Sequence, residues 1–560
     1  YNQLRLDLKE KNAPHRQLSL IFRAFNDGVA FRYELFRQPG LDSVFISSEE
    51  TRFNFARDDS AWWIPADYES YEHLYRHTPV SQLKAVNTPV TLETPEGVVI
   101  AIHEAALSDY PGMTLRKVSS QPPVLKSELV PWPDGIKVKG QTPLRTPWRV
   151  ILLTNDAKNL LASHTIQNLN EPCKIEDTSW IKPMKYVGIW WGMHIGVFTW
   201  HSGPKHGATT ARAKRYIDFA AAHGFGGVLI EGWNQGWDSW LSGNNVQNYT
   251  KAYPDFDLKE VAAYARRKGV ALIGHHESGG NVPEYERQMT AALDLYRKLG
   301  VPAVKTGYAG KMHPAGQHHH GQWMVRHYRK VVEEAAKRRI MIDAHEPVKP
   351  TGVSRTWPNF MTREGARGME YNAWSEGNPP SHTTILPFTR FLGGPMDYTP
   401  GIFNLKFDPT GKHRVYTTLA KQLAYYVVLY SPLQMAADLI ENYENQPAFT
   451  FIEHVPVNWD ETRPIAAKIG DYVSVARRQG QNWYLGTITD EQPRTIVIPL
   501  DFLVPNQTYR ATIYEDSRQT DFDANPTAIN IRQRVVTSAD TLHAKMTKSG
   551  GQAVELVPIK

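Results

Sequence analysis

Apolar and polar residues alternate in short bursts along the first third of the chain. Residues 98–102, 115–118 and 148–153 carry this period of two, and Asn26-Asp27-Gly28 and Asp134-Gly135 supply turn signals between such runs. That pattern predicts an antiparallel β-sandwich, with no convincing helical period inside it. Leu4, Leu6 and Leu8 already alternate at the outset, so a strand is under way at Tyr1 and further sequence upstream is expected. The Pro- and Lys-containing stretch 171–185 reads as a linker.

From about residue 186 to 460 the period changes. Ala213, Tyr216, Ile217 and Ala220 share one helical face ahead of a short apolar strand, 225–231. A strand at 269–276 precedes a helix that opens at Pro283, repeats Tyr285, Met289, Ala292, Leu293, Tyr296 and Leu299, and stops at Gly300. Strands at 302–306 and 340–344 bracket a helix over 322–338. Repeated strand–helix units over this length predict a (β/α)8 TIM barrel. A doubly wound sheet is the alternative, but no Gly-rich phosphate fingerprint follows any strand. Alternation returns from about 468, as in Tyr472-Val-Ser-Val and Thr495-Ile-Val-Ile. The expected fold is multidomain α/β and β: an N-terminal β-sandwich over 1–175, a barrel over 176–465 and a C-terminal β-sandwich over 466–560.

Composition narrows the class. Of 560 residues 41% are hydrophobic and 21% charged, which excludes disordered and collagen-like chains. A net charge of +6 with no basic run gives no support to nucleic-acid binding. The single cysteine, Cys173, excludes intramolecular disulfides and cysteine-based metal clusters. No apolar stretch is long enough to span a bilayer.

In such a barrel the chemistry lies at the carboxyl ends of the strands. Those ends read Glu231-Gly-Trp-Asn, His275-His-Glu-Ser-Gly-Gly, Lys305-Thr-Gly-Tyr and Asp343-Ala-His-Glu-Pro, followed by the polar stretch 351–370. A metal-dependent amidohydrolase would need several imidazoles converging on one metal. His275 and His276 point to opposite faces of a strand, whereas His275 and Glu277 share one. The run His318-His-His320 reads as a solvated surface feature at a helix start. Carboxylates recur instead, with Glu277, Glu346, Glu364 and Glu370 near strand ends among many tryptophans. Glycoside hydrolysis requires a proton donor and a second carboxylate acting as base or nucleophile.

The runs His275-His-Glu-Ser-Gly-Gly, Ala344-His-Glu-Pro, 351–370 and Phe391-Leu-Gly-Gly-Pro-Met-Asp-Tyr-Thr-Pro-Gly resemble hallmark stretches of glycoside hydrolase family 97. The resemblance extends over the whole chain, although the family's N-terminal super-sandwich is larger than the sandwich here, again as if truncated. It implies Glu370 as general acid, with Glu277 and Glu346 activating water as general base. It also implies an active-site calcium, with Glu346, Glu364 and Glu34 matched to its ligands; oxygen donors suit Ca²⁺. His275, Lys305 and His345 match substrate-contacting residues, and Glu231 and Trp233, after the second strand, join them as substrate-binding candidates. Retaining members carry an Asp nucleophile two residues after the fourth-strand lysine, where this chain has Gly307. The resemblance therefore implies a periplasmic, calcium-dependent, inverting exo-α-glucosidase of maltose, malto-oligosaccharides and starch fragments, monomeric or homodimeric. A retaining α-galactosidase and a non-catalytic glycan-binding protein are the alternatives.

Overall fold

The structure is a computed structural model and describes residues 1–240 and 247–559. Two antiparallel sheets build the N-terminal region. A nine-stranded sheet includes the strands Gln17–Phe25, Gly28–Leu35, Trp148–Thr154 and Val99–Ala105, and a four-stranded sheet pairs Met113–Ser120 with Pro123–Leu129. Ala30, Val90, Leu92, Ala101 and Val150 from the first sheet and Val86, Leu115 and Leu125 from the second are buried in the core. The period of two predicts these strands, but Val99–Ala105 and Trp148–Thr154 bury consecutive residues, so the large sheet is covered on both faces there.

The barrel strands are β1 (Met184–Ile189), β2 (Gly227–Ile230), β3 (Ala271–Glu277), β4 (Ala303–Gly307), β5 (Met341–Ala344), β6 (Phe360–Arg363) and β7 (Leu433–Ala436). They form one parallel ladder in the order β6-β5-β4-β3-β2-β1-β7. β1 starts inside the stretch read as a linker, and all six of its residues are buried. Helices α1 (Thr210–Ala222), α2 (Leu258–Arg267), α3 (Val282–Leu299) and α4 (Gln322–Lys337) follow the first four strands. α3 buries Tyr285, Met289, Ala292, Leu293 and Tyr296, the face its periodicity predicts, and ends at Gly300 in the left-handed conformation (φ +71°).

Seven strands, not eight, make the ladder among the described residues. Between β6 and β7 the chain meets the barrel at a single parallel bridge, Arg363–Met396. Gly393, Gly394 and Pro395 immediately precede Met396; proline donates no ladder hydrogen bond and glycine packs no side chain. The buried Arg390 guanidinium holds this segment instead, donating to the carbonyls of Arg363, Glu364, Gly394 and Pro395. The barrel is nearly closed.

A six-stranded antiparallel sheet and a two-stranded pair, Arg494–Pro499 with Thr541–Met546, form the C-terminal region. Helix α5 (Leu419–Val428) is buried along its whole length. Its Lys421 ammonium donates to the carbonyls of Pro380 (2.9 Å) and Thr489 (2.7 Å), tying barrel to sheet.

The N-terminal sheet grips the barrel at the loop after β5. Buried Arg149 forms a fork on Glu49 (2.5 Å) and reaches Glu104 (2.8 Å). Glu104 in turn pairs with the Lys349 ammonium at 2.9 Å. His103 bonds the Pro350 carbonyl at 2.8 Å. This buried network fixes the loop that carries His345 and Glu346.

Candidate active site

Register explains how the side chains converge. In the parallel ladder His275 on β3 pairs with Lys305 on β4, which pairs with Asp343 on β5. Residues in register point to one side, so these three form a layer across the barrel mouth. Two residues on, Glu277 pairs with Gly307. A Cβ on Gly307 would overlap the Glu277 carboxylate, so glycine there gives Glu277 its space. His276 points outward, as alternation requires, stacking on Tyr296 (4.9 Å) and bonding the Tyr285 hydroxyl (3.1 Å).

A cavity of about 570 Å³ opens at this end of the barrel. Glu231, His275, Glu277, Lys305, His345, Glu346, Glu364 and Glu370 all line it. Two predicted residues do not. Glu34 lies on the N-terminal sheet, ion-paired at 2.6 Å with Arg32 on its own strand and at 3.2 Å with Arg145, its direct cross-strand partner. Those two guanidiniums give it a local role away from the cavity. Trp233 is buried behind the strands, its indole donating to the His275 carbonyl at 3.3 Å. Gly232 turns the chain there with φ +73° against the Trp200 backbone, which ends the alternation that would have aimed Trp233 inward.

The structure adds residues that the sequence reading missed. Glu69 and Glu72, from the N-terminal region, line the cavity, and Trp200 joins Trp190 and Trp237, two of the tryptophans expected near the strand ends, in its aromatic wall. Glu72 accepts from the Tyr371 hydroxyl at 2.7 Å. The histidine run is not a solvated surface feature: His319 and His320 are buried. His318 and His319 both bond the Glu69 carboxylate through Nδ1, and His320 stacks on Tyr71 with ring centroids 3.7 Å apart. Together they pin the loop that carries Glu72. Nothing local in Tyr68-Glu69-Ser70-Tyr71-Glu72 marks it as part of a barrel site; only domain docking brings it there.

Charge is the dominant feature. Among the described residues seven glutamates and one lysine line the cavity. Burial pushes the Glu370 carboxyl well above its ordinary value, and the Glu364 charge adds to this. Its Oε2 is buried with no hydrogen-bond partner. Burial likewise raises Glu72, reinforced by Glu364, Glu346 and Glu370. For Glu277, burial and the Glu346 charge raise the carboxyl, while the backbone N–H groups of Gly279 (2.7 Å) and Ala309 (3.2 Å) pull the other way. Burial and Glu364 raise Glu346, whose backbone sits at φ +51°, held by the Tyr308 N–H on its carboxylate (2.8 Å) and by its own N–H on Glu364 (3.1 Å). Such left-handed backbone at a non-glycine residue persists only where its surroundings enforce it.

Two cationic groups, Lys305 and His345, relieve the crowding. The Lys305 ammonium sits 2.9 Å from Glu231; burial opposes ionisation of Glu231, but His275 and Lys305 bring its carboxyl down to about 2. Burial brings His275 down to about 4, so at neutral pH its imidazole is uncharged and Lys305 supplies the compensating charge. Burial also opposes charging of His345, yet Glu364 (3.4 Å) and Asp397 (2.9 Å) raise it well above its usual value. Burial is outweighed at Glu364 too, which His345 holds down to about 2. One ligand atom from each of His345, Glu346 and Glu364 lies within 4.8 Å of the others, as does one from each of Asp343, His345 and Asp397. The arrangement combines a carboxyl raised by burial, further carboxylates nearby and a fixed Lys–Glu pair, which is the equipment of acid–base chemistry on a polar substrate.

Comparison with known proteins agrees with this equipment. The Glycoside hydrolase 97 family profile matches residues 190–366, its N-terminal companion residues 1–172, and its C-terminal, oligomerisation companion residues 458–557. A retaining alpha-galactosidase of Bacteroides thetaiotaomicron is 30% identical, covering 92% of this chain and 79% of its own. A probable retaining alpha-galactosidase of Streptomyces bingchenggensis is 28% identical, over 96% of this chain and 77% of its own. Among solved structures, a family 97 enzyme from Pseudoalteromonas sp. strain K8 in complex with acarbose is 46% identical with a TM-score of 0.96, covering all of this chain and 88% of its own. The same enzyme as a variant holds panose.

The Lys305–Glu231 pair yields a stability prediction with a definite sign. Glu231→Gln leaves the buried Lys305 ammonium with only Asp343 and Asp397 as acidic neighbours and should destabilise the fold by up to about 3–5 kcal/mol at neutral pH. Because the folded-state pKa of Glu231 is depressed, its stabilisation is complete above its unfolded pKa and is lost as pH falls towards about 2. Urea unfolding of wild type and variant should therefore show a gap that is wide at neutral pH and narrows below about pH 4; a gap independent of pH would refute the pairing.

Proposed function

The chain belongs to glycoside hydrolase family 97, and from that premise we propose that it is an inverting exo-α-glucosidase acting on malto-oligosaccharides. The observation that carries the mechanism is Gly307. Retention through a glycosyl-enzyme needs a carboxylate poised to attack the anomeric carbon. Position 307, which faces the cavity beside Lys305, has no side chain, and the Glu277 carboxylate fills the space. Glu277 and Glu346 then direct water at the anomeric carbon while Glu370 protonates the leaving oxygen. Burial and the Glu364 charge raise its carboxyl, the direction that favours holding the proton an acid must donate. Glu231, His275 and Lys305 form the fixed hydrogen-bonding floor for the sugar hydroxyls. The α-glucoside preference draws support from the 46%-identical enzyme that holds acarbose and panose. The names of the curated relatives favour a retaining α-galactosidase instead. Proton NMR during early hydrolysis of an α-glucoside separates the two readings: β-glucose should appear first, and α-glucose first would overturn inversion.

Removing the acid has a signature of its own. Glu370→Gln should lose about 10²–10⁴-fold on maltose, but much less on a substrate whose leaving group departs without a proton, such as α-glucosyl fluoride. Equal losses on both would remove Glu370 from the role.

The carboxylate cluster also fits a bound Ca²⁺. Glu72, Glu346 and Glu364 offer oxygen donors that repel one another without a cation, and the buried Glu370 Oε2 lacks a partner beside them. Hard oxygen ligands of this kind suit calcium. A calcium bound by Glu72, Glu346 and Glu364 would hold those carboxylates ionised and polarise what lies next to them. Because one donor comes from the N-terminal region, binding would also fasten that region to the barrel. At a hundredfold excess over Kd the stabilisation is about 2.7 kcal/mol. Chelation should therefore lower the melting temperature and added Ca²⁺ restore it, with Glu72→Gln indifferent to both. A wild-type melting temperature unmoved by chelator would remove the calcium claim.

A further inference from the structure

Trp374 is half exposed, one of the few large apolar side chains of the barrel left open to solvent, yet it lines the catalytic cavity. It closes a single helical turn, Tyr371–Trp374, whose N-cap is Glu370. Residues four apart on a helix share a face, so the indole stands over the Glu370 side of the cavity. A general acid protonates the oxygen of the departing group and so lies on the leaving-group side of the scissile bond. Trp374 is therefore placed beyond that bond, where the sugar that departs must sit.

The turn is held rigidly. The Arg367 guanidinium stacks on the Tyr371 ring at 4.1 Å and donates to Ser375 Oγ (2.9 Å), the Gly377 carbonyl (3.0 Å) and the Asn378 side chain (2.9 Å). Tyr371 supports the indole from one side, with centroids 4.4 Å apart, and donates to Glu72 from its far end. An aromatic ring braced by a neighbour tilted 45° to it and half exposed at a cavity mouth is a preorganised platform for an apolar sugar face.

We propose that Trp374 is the stacking platform for the leaving-group sugar, and that it makes the enzyme prefer an oligosaccharide over a substrate with a small leaving group. The proposal rests on Glu370 being the acid. It requires no change in the sugar bound on the other side of the scissile bond, among Glu231, His275 and Lys305. The residue is a specificity determinant, not a participant in bond breaking.

The test compares kcat/KM for maltotriose with that for α-glucosyl fluoride, whose leaving group is too small to reach the indole. In Trp374→Ala the ratio of the two should fall about twofold to twelvefold, the range for one aromatic contact, mainly through KM. Trp374→Phe should recover most of the ratio and Trp374→Leu, apolar but without a ring face, should not. An unchanged ratio, or recovery by leucine equal to that by phenylalanine, would overturn the platform. If wild type cleaves neither glucoside but cleaves α-galactosides, the glucosidase reading fails by itself. The same comparison with melibiose and α-galactosyl fluoride then decides the platform.

Discussion

Seven glutamates around a cavity of about 570 Å³, with one lysine among them, would drive themselves apart if left free. Like charges in a poorly hydrated space raise one another's pKa or recruit a cation. The structure meets this constraint in part with the Lys305–Glu231 pair and the His345 imidazole, and in part by raising the Glu370 carboxyl. Glu346 and Glu364 crowd closely beside His345, and their charges, with that of Glu370, also raise Glu72. Much of the surrounding architecture serves to keep these groups in place against their repulsion.

That holding falls to more than the barrel. The buried chain Glu49–Arg149–Glu104–Lys349 runs from the N-terminal sheet to the loop bearing His345 and Glu346. The Glu69 contacts with His318 and His319 bring the loop carrying Glu72 to the same place. Two domains thus close on one cluster of charge. A buried network of this kind is weak evidence for stability but a strong way to specify geometry, since a broken partner leaves an uncompensated charge inside. Between β6 and β7, where a single bridge at Met396 replaces a strand, the Arg390 guanidinium stands in for the missing ladder bonds.

Much of the site was legible because strand geometry is local. His275, Glu277, Lys305 and Glu231 could be placed at strand ends from hydrophobic runs and alternation, and alternation separated His275 from His276. The period of 3.6 in 282–299 marked the buried face of a helix in the same way. Two residues escaped where locality ended. Trp233 follows Gly232, whose positive φ breaks the alternation, and Glu34 is claimed by Arg145, a partner more than a hundred residues away in sequence. Glu72 and the histidine run escaped for the converse reason: they look like ordinary loop polarity until two domains meet over them.

From the sequence alone came the order of β, β/α and β regions, the faces of helices and strands, and a resemblance to a glycosidase family, because periodicity and motif are properties of neighbouring residues. Tertiary structure decided which carboxylates share one cavity. It also decided that Glu69 and Glu72, and not Glu34, line the cavity from the N-terminal region, and that glycine at 307 makes room for Glu277. Those outcomes depend on sheet register and on how two domains dock. Both are set by packing between residues far apart in the chain, which a local pattern does not encode.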